Sequence, residues 1–239
     1  MTREAQLYYR HRLPVRIMHW INVVAFVVML MSGLMIFNAH PTLYWGNQSY
    51  AGALQVLHIG HGNDAFPGWL TIPSTYSLAL ARRWHLFFMW IFVVNGIAYV
   101  LWSAASRHLT RDLAPTPADL KSIWQSIKDH ARFKHPTGEA AKRYNVLQKL
   151  AYLVVIFVLL PLVILMGLAM SPSLDALWPG WVDVFGGRQS ARTLHFVAAA
   201  ALVAFMALHV FLVITYGLWN QMRSMVTGRF RVDAEIADE

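Results

Sequence analysis

The chain has 239 residues, 57% of them hydrophobic and only 13% charged, with a formal net charge of +8. A soluble domain carries roughly 45–50% apolar and about 25% charged residues, so the apolar surplus must face lipid. A soluble enzyme, a disordered chain and a collagen-like fibre are excluded. The lack of cysteine also excludes disulfide scaffolds, thiolate zinc sites, iron–sulfur clusters and cysteine nucleophiles within the chain.

Crossing the hydrocarbon core takes about 20 mainly apolar residues. In chain order, four stretches qualify: Ile17 to Phe37, Trp84 to Ala104, Leu147 to Met170 and Thr193 to Tyr216. The first follows basic residues as a signal peptide would. Its apolar run is too long for that, and no small-x-small cleavage site follows Phe37. Trp20, Trp84, Trp102 and Trp219 sit near span ends, as an interfacial belt places them. Pro161 falls inside the third span, where a kink is tolerable if neighbours satisfy the freed carbonyl. The expected fold is an all-α, four-transmembrane-helix bundle, a single integral membrane domain over residues 1–239.

Lys and Arg set the expected orientation. Four precede the first span (Arg3, Arg10, Arg12, Arg16), and eight lie between Arg107 and Arg143. Lys149 and the tail residues Arg223, Arg229 and Arg231 belong to the same side. The remaining Arg82, Arg83, Arg188 and Arg192 hug the starts of the second and fourth spans. The first outer loop, Asn38 to Ala81, holds no Lys or Arg. The positive-inside rule then places both termini in the cytoplasm of a bacterial cell, in the inner membrane. Topology accounts for the basic charge, and no nucleic-acid partner is expected.

Ionisable groups inside a span are costly and mark function by default. Four of the eleven histidines lie within spans: His19, His85, His195 and His209. His195 and His209 are fourteen residues apart, which returns to within about 40° of one helical face and separates them by roughly 21 Å. Two imidazoles on one stripe, one near each membrane surface, suit two stacked haems. Span direction supplies the second ligand of each. His19 lies near the cytoplasmic surface, level with His209, and His85 near the outer surface, level with His195. The expected pairs are therefore His19–His209 and His85–His195, two bis-histidine haem b groups without an open coordination position. The competing reading is packing or proton-relay histidines. Arg82, Arg83 and Arg192 on the outer side, and Arg16 on the inner side, are candidate propionate partners; the alternative is that they anchor helix ends.

At these residues the sequence resembles the four-helix di-haem cytochrome b subunits of bacterial hydrogenases, formate dehydrogenases and thiosulfate reductases, the last type most closely. The motifs are Arg16-x-x-His19-Trp20, Ser32-Gly33-Leu34, Arg83-Trp84-His85, Tyr144-Asn145-x-x-Gln148-Lys149, Gly167-Leu168 and the two histidines of the last span. The resemblance implies that the four span histidines are the haem ligands. It also implies a quinone site, for ubiquinone or menaquinone, near the inner haem. Asn145, Gln148 and Lys149 can donate hydrogen bonds to a quinone carbonyl, or equally cap and snorkel at the helix start. Leu147 stands where formate dehydrogenase relatives carry glycine, which predicts a differently shaped pocket. Respiratory cytochromes b, with a histidine pair on each of two helices, are set aside because Tyr99 stands fourteen residues after His85.

The first outer loop carries Trp45, Trp69, His58 and His61, and is read as a docking surface, shared with Ser171 to Gln189, rather than a metal or third haem site. The resemblance implies a separate periplasmic partner, expected to be a molybdopterin oxidoreductase. Within the cytoplasmic loop a short amphipathic helix is expected near Asp119 to Phe133, lying on anionic lipid. The acidic tail beyond Val232 is expected to be mobile. The leading functional expectation is a transmembrane electron conduit between that partner and the quinone pool. The alternative is a stand-alone di-haem cytochrome that oxidises superoxide or reduces ferric iron. A proton-relaying transporter is the third reading.

Overall fold

A computed structural model describes residues 6–50, 53, 55–60, 65–132 and 144–232. Four helices in it are long and apolar enough to cross a membrane: α1 (Leu13–Asn38), α2 (Leu78–Ala105), α5 (Val146–Ala169) and α7 (Arg188–Thr215). The fold is a four-helix membrane bundle, as the hydropathy predicts. Helices α1, α2 and α7 begin several residues before their apolar runs. Arg16, Arg82, Arg83, Arg188 and Arg192 therefore lie within the first turns of these helices rather than ahead of them.

Shorter elements complete the chain: β1 (Gln6–Tyr9), β2 (Thr42–Tyr44), β3 (Gln55–His58), α3 (Pro117–Lys121), α4 (Ile123–Ala131), α6 (Pro172–Leu177), α8 (Leu218–Thr227) and β4 (Arg229–Val232). The structure divides into two compact units, one of Met1–Trp20, Gly96–Val155 and Ala204–Glu239, the other of Ile21–Asn95 and Ile156–Val203. The boundaries fall inside the four spanning helices.

In the first unit, β1 pairs antiparallel with β4 in the register Gln6↔Val232 to Tyr9↔Arg229, joining the two ends of the chain. Arg10 extends this clasp, its guanidinium 4.7 Å over the Phe230 ring and 5.7 Å over Tyr144. Helix α3 opens with a capping box on Thr116 and Asp119. Helix α4, at residues 123–131, corresponds to the expected amphipathic helix, with Trp124 and Ile127 exposed. Its expected end at Phe133, like the tail beyond Val232 and His61, lies outside the described residues.

In the second unit, the loop between α1 and α2 contains a hairpin, β2–β3, in the register Thr42↔His58 and Leu43↔Leu57, with a bulge before Tyr44. The fourth spanning helix explains why it forms. Arg192 donates to the carbonyls of Thr42 and His40, and Thr193 donates to Tyr44 O at 2.7 Å. Carbonyls that would otherwise be stranded beside an apolar bundle are thereby satisfied. In return, Gly46 O accepts from the first-turn amides of Gln189 and Ser190, at 2.9 and 3.2 Å, which would otherwise be orphans of a helix start. Asn38 closes the loop base, bonding the Phe66 backbone in both directions at 2.8 Å. Between α1 and α2, buried Asn95 donates to Asn22 Oδ1 at 2.7 Å, a polar tie of the kind that holds spans together in lipid.

Pro161 lies inside the third spanning helix. The turn before it, Val155–Leu159, is π-helical, which accommodates the backbone group that the proline ring leaves without a donor.

Candidate functional site

Two pairs of imidazoles are brought together, one in each unit. The ring centroids of His19 and His209 are 6.3 Å apart at an interplanar angle of 63°. Those of His85 and His195 are 6.2 Å apart at 64°. The same distance in two independent places calls for a common cause. A metal held between two imidazole nitrogens at about 2 Å each, with roughly 1.1 Å from nitrogen to ring centre, puts the centroids about 6 Å apart. The rings are thus spaced for one shared metal in each pair, and too far apart to hydrogen-bond each other directly.

The sequence pairing depends on which end of a span each histidine occupies, and the structure makes the same two pairs. His195 and His209 share the unbroken helix α7. His19 comes from the first two turns of α1 and His85 from the second turn of α2.

The His85–His195 pair is held by groups of α1 and α5. His85 Nδ1 lies 3.0 Å from Met29 O and 3.2 Å from Ser32 Oγ. Ser32 is fully buried, and its hydroxyl donates to Val28 O at 2.7 Å, so its oxygen is left to accept. His195 Nδ1 lies 2.8 Å from Val163 O. Both rings therefore donate from Nδ1 to fixed acceptors, which selects the tautomer whose other nitrogen, Nε2, is a lone-pair donor. Two glycines make room. A Cβ on Gly167 would sit 3.3 Å from His195 Cε1, and one on Gly33 would sit 3.4 Å from His85 Cε1. These glycines belong to the motifs that carry the family resemblance, but their role does not follow from the motifs. Their positions opposite the histidines emerge from the packing alone.

The His19–His209 pair is framed by aromatic rings. Trp20 meets His19 edge-on at 5.3 Å, and Phe205 lies nearly parallel to His209 at 6.0 Å. Trp20 Nε1 donates to Met225 O at 3.1 Å, and the Arg16 guanidinium donates to Val226 O.

The candidate propionate partners separate in the structure. Arg16 Nε is buried without a hydrogen-bond partner, an unsatisfied cationic donor one turn from His19. Arg192 spends both terminal nitrogens on the loop carbonyls, and Arg82 and Arg83 are exposed. Arg16 is the one whose geometry leaves a buried donor for an acidic group.

Asn145, Gln148 and Lys149 come together, in local structure. Asn145 is the N-cap of α5, its Oδ1 accepting from Leu147 N at 2.9 Å, while Gln148 Oε1 accepts from Asn145 N at 3.2 Å. Lys149 Nζ donates to Asp119 Oδ2 at 2.8 Å. That bond, with the Thr116 amide, draws the Asp119 carboxyl down to about 2. The capping box uses the Asn145 and Gln148 side-chain oxygens as acceptors, the Asn145 side-chain amide donates to Ser126 Oγ at 3.4 Å, and Lys149 is held in an ion pair. Beside them, Tyr144 hydroxyl lies 3.4 Å from His11 Nδ1. Burial, reinforced by Arg10, lowers His11 to about 4, and burial pushes the Tyr144 phenol up.

In the outer loop, His58 Nδ1 lies 2.7 Å from Thr42 Oγ1 across the hairpin, and His40 stacks on Tyr44. Among the described residues, no group of three or more His, Asp or Glu is placed to hold a metal ion.

Comparison with known proteins gives the same reading. Residues 10–228 match the family model of the prokaryotic cytochrome b561. The chain is 30% identical over 215 residues to a putative protein-methionine-sulfoxide reductase subunit, YedZ1, of Azospira oryzae, covering 87% of this chain and 91% of the relative. It is 24% identical over 233 residues to a probable Ni/Fe-hydrogenase B-type cytochrome subunit of Cupriavidus necator, covering 92% and 85%. A subunit of the same description from Azotobacter vinelandii is 24% identical over 224 residues, covering 89% and 82%. With four apolar spans and a match across nearly its whole length, this chain belongs to the prokaryotic cytochrome b561 family, the b-type haem membrane subunits that carry electrons for oxidoreductases.

Proposed function

We propose that this protein binds two haem b groups, one between His19 and His209 and one between His85 and His195. In this role it carries electrons across the bacterial inner membrane between the quinone pool and a periplasmic oxidoreductase. The observation that carries the reading is the repeated 6.2–6.3 Å spacing of two imidazole pairs. A bis-imidazole haem b supplies one-electron transfer without a free coordination site.

The residues of the chain do the rest. Met29 O, Ser32 and Val163 O fix the tautomer of the outer ligands, and Gly33 and Gly167 admit their rings. Arg16 Nε offers a charge-assisted hydrogen bond to a propionate beside the inner pair. Quinone, ubiquinone or menaquinone, exchanges electrons at the end of the bundle that carries His19 and the start of α5. There Asn145 and Gln148 fix the helix start through their side-chain oxygens, Lys149 pairs with Asp119, and the Gln148 side-chain amide can donate to a quinone carbonyl.

The partner reading rests on two supports. The relatives are named as subunits of reductase and hydrogenase systems, so the chain is a component and membrane anchor rather than a complete enzyme. The outer loop, built by the β2–β3 hairpin, exposes Trp45, Tyr50 and Trp69, a surface suited to a separate catalytic subunit, for which we favour a molybdopterin enzyme. With both termini cytoplasmic, as the basic residues require, that subunit is periplasmic.

A pyridine haemochrome assay with a reduced-minus-oxidised spectrum tests the core of this. Two b haems per chain with low-spin bands are expected; one haem, or none in folded protein, overturns it.

A further inference from the structure

Helix α8 inverts the usual arrangement of a surface helix. Its outward stripe is apolar: Leu218, Trp219, Met222 and Val226 are exposed, Trp219 by 85%. Its inward side is polar. Ser224 is fully buried, and Asn220 is tied to β4, donating to Arg231 O and accepting from Arg231 N, each at 2.9 Å. Residues 218, 222 and 226 recur at the i, i+4 spacing that lines one helix face. Left in water, that face would be an apolar patch without a partner.

Its position in the chain says what covers it. Only Tyr216 and Gly217 separate α8 from spanning helix α7. Two residues reach no more than about 7 Å, so α8 must begin at the membrane surface. Arg223 on the adjoining stripe, and Arg229 and Arg231 on β4, are exposed, and no acidic residue occurs from Val213 to Val232. An apolar stripe edged by arginine, directly after a span, is the composition of a helix lying in an anionic interface. The far end of α8 holds α1: the carbonyls of Met225 and Val226 accept from Trp20 and Arg16, residues on either side of His19.

We propose that α8 is an interfacial helix seated in anionic lipid at the leaflet where α7 ends, and that this seat clasps the start of α1. The inference requires that the chain span a membrane and is independent of haem content. Because the natural sequence has no cysteine, a spin label can be placed on one residue of the full-length chain. Trp219→Cys and Met222→Cys would be labelled in nanodiscs of equal parts phosphatidylcholine and phosphatidylglycerol, with Gln221→Cys as the inward control. The labels at 219 and 222 should be reached by oxygen and shielded from a water-soluble nickel chelate. Their depth should be roughly 5–10 Å below the headgroup surface, becoming shallower in pure phosphatidylcholine. In the same lipid, Trp219→Glu should increase the mobility of a label at Ile17→Cys several-fold. Nickel access at 219 equal to that of a soluble label would overturn the lipid seat. Spin–spin broadening between chains would overturn it in favour of a second copy. An unchanged label at residue 17 would overturn the clasp.

Discussion

Adding one methyl group at Gly167 should weaken one haem and spare the other. The new Cβ would lie 3.3 Å from His195 Cε1 and 3.5 Å from Nδ1, so the ring must yield by a few tenths of an ångström. It has little freedom to do so, because Nδ1 is 2.8 Å from Val163 O, one turn earlier on the same helix. Retreating from the methyl stretches that bond. A neutral buried hydrogen bond contributes about 1 kcal/mol, and disturbing the groups that orient a metal-ligating histidine typically costs 10–100-fold in affinity. A loss near the lower end, about tenfold, is expected for the outer haem of Gly167→Ala. Gly33→Ala brings its Cβ to 3.4 Å from His85 Cε1 and 3.7 Å from Nδ1, an ordinary contact, so a smaller loss is expected. Gly96→Ala meets nothing within 4 Å and serves as the neutral control. Haem titration of apoprotein, followed by redox-resolved difference spectra, separates the two sites. Equal affinity in Gly167→Ala and wild type, or equal loss of both haems, would refute the argument.

His85→Ala and His195→Ala should remove one spectral component and His19→Ala and His209→Ala the other; matching losses from His85→Ala and His209→Ala would break the pairing. Asn145→Ala should lower stability by about 1 kcal/mol through the lost N-cap, read by thermal unfolding in detergent, with quinone kinetics measured beside it to separate capping from direct donation. Acid should destabilise the first unit in two steps. Burial holds His11 at about 4 against 6.5, so as pH falls from about 6.5 to about 4 the unfolded chain binds a proton that the fold refuses, and stability drops; His11→Phe should flatten that step. Asp119, held near 2 against 3.8, contributes stability above about pH 4 that is lost as pH falls towards 2, and Asp119→Asn should remove that second step. Arg192→Gln should loosen the β2–β3 hairpin, detected as faster amide exchange at Thr42 and Tyr44, and weaken binding of the outer partner.

The sequence by itself determined the four spans and the histidine pairs. Hydropathy is summed over some twenty residues and survives local detail. The depth of a histidine in a spanning helix is fixed by its distance from the helix end, so His19 could meet only His209, and His85 only His195. The tertiary structure decided what is settled by packing across chain-distant elements. Asn145 and Lys149 can donate to a ligand or cap a helix, and only the placement of Ser126 and Asp119 beside them shows where their donors go. Gly167 belongs to a motif in the sequence, but its purpose emerges only when Val163 O and the His195 ring are seen on the same face of α5. The hairpin between α1 and α2 is not legible locally, because the partners that satisfy its carbonyls, Arg192 and Thr193, lie about 150 positions later in the chain. Helix α8 has too short an apolar stripe to register as a membrane segment, and its orientation is set by the hydrogen bonds of Asn220 to β4. Periodicity reports which residues share a face; the direction of that face is a property of contacts made far along the chain.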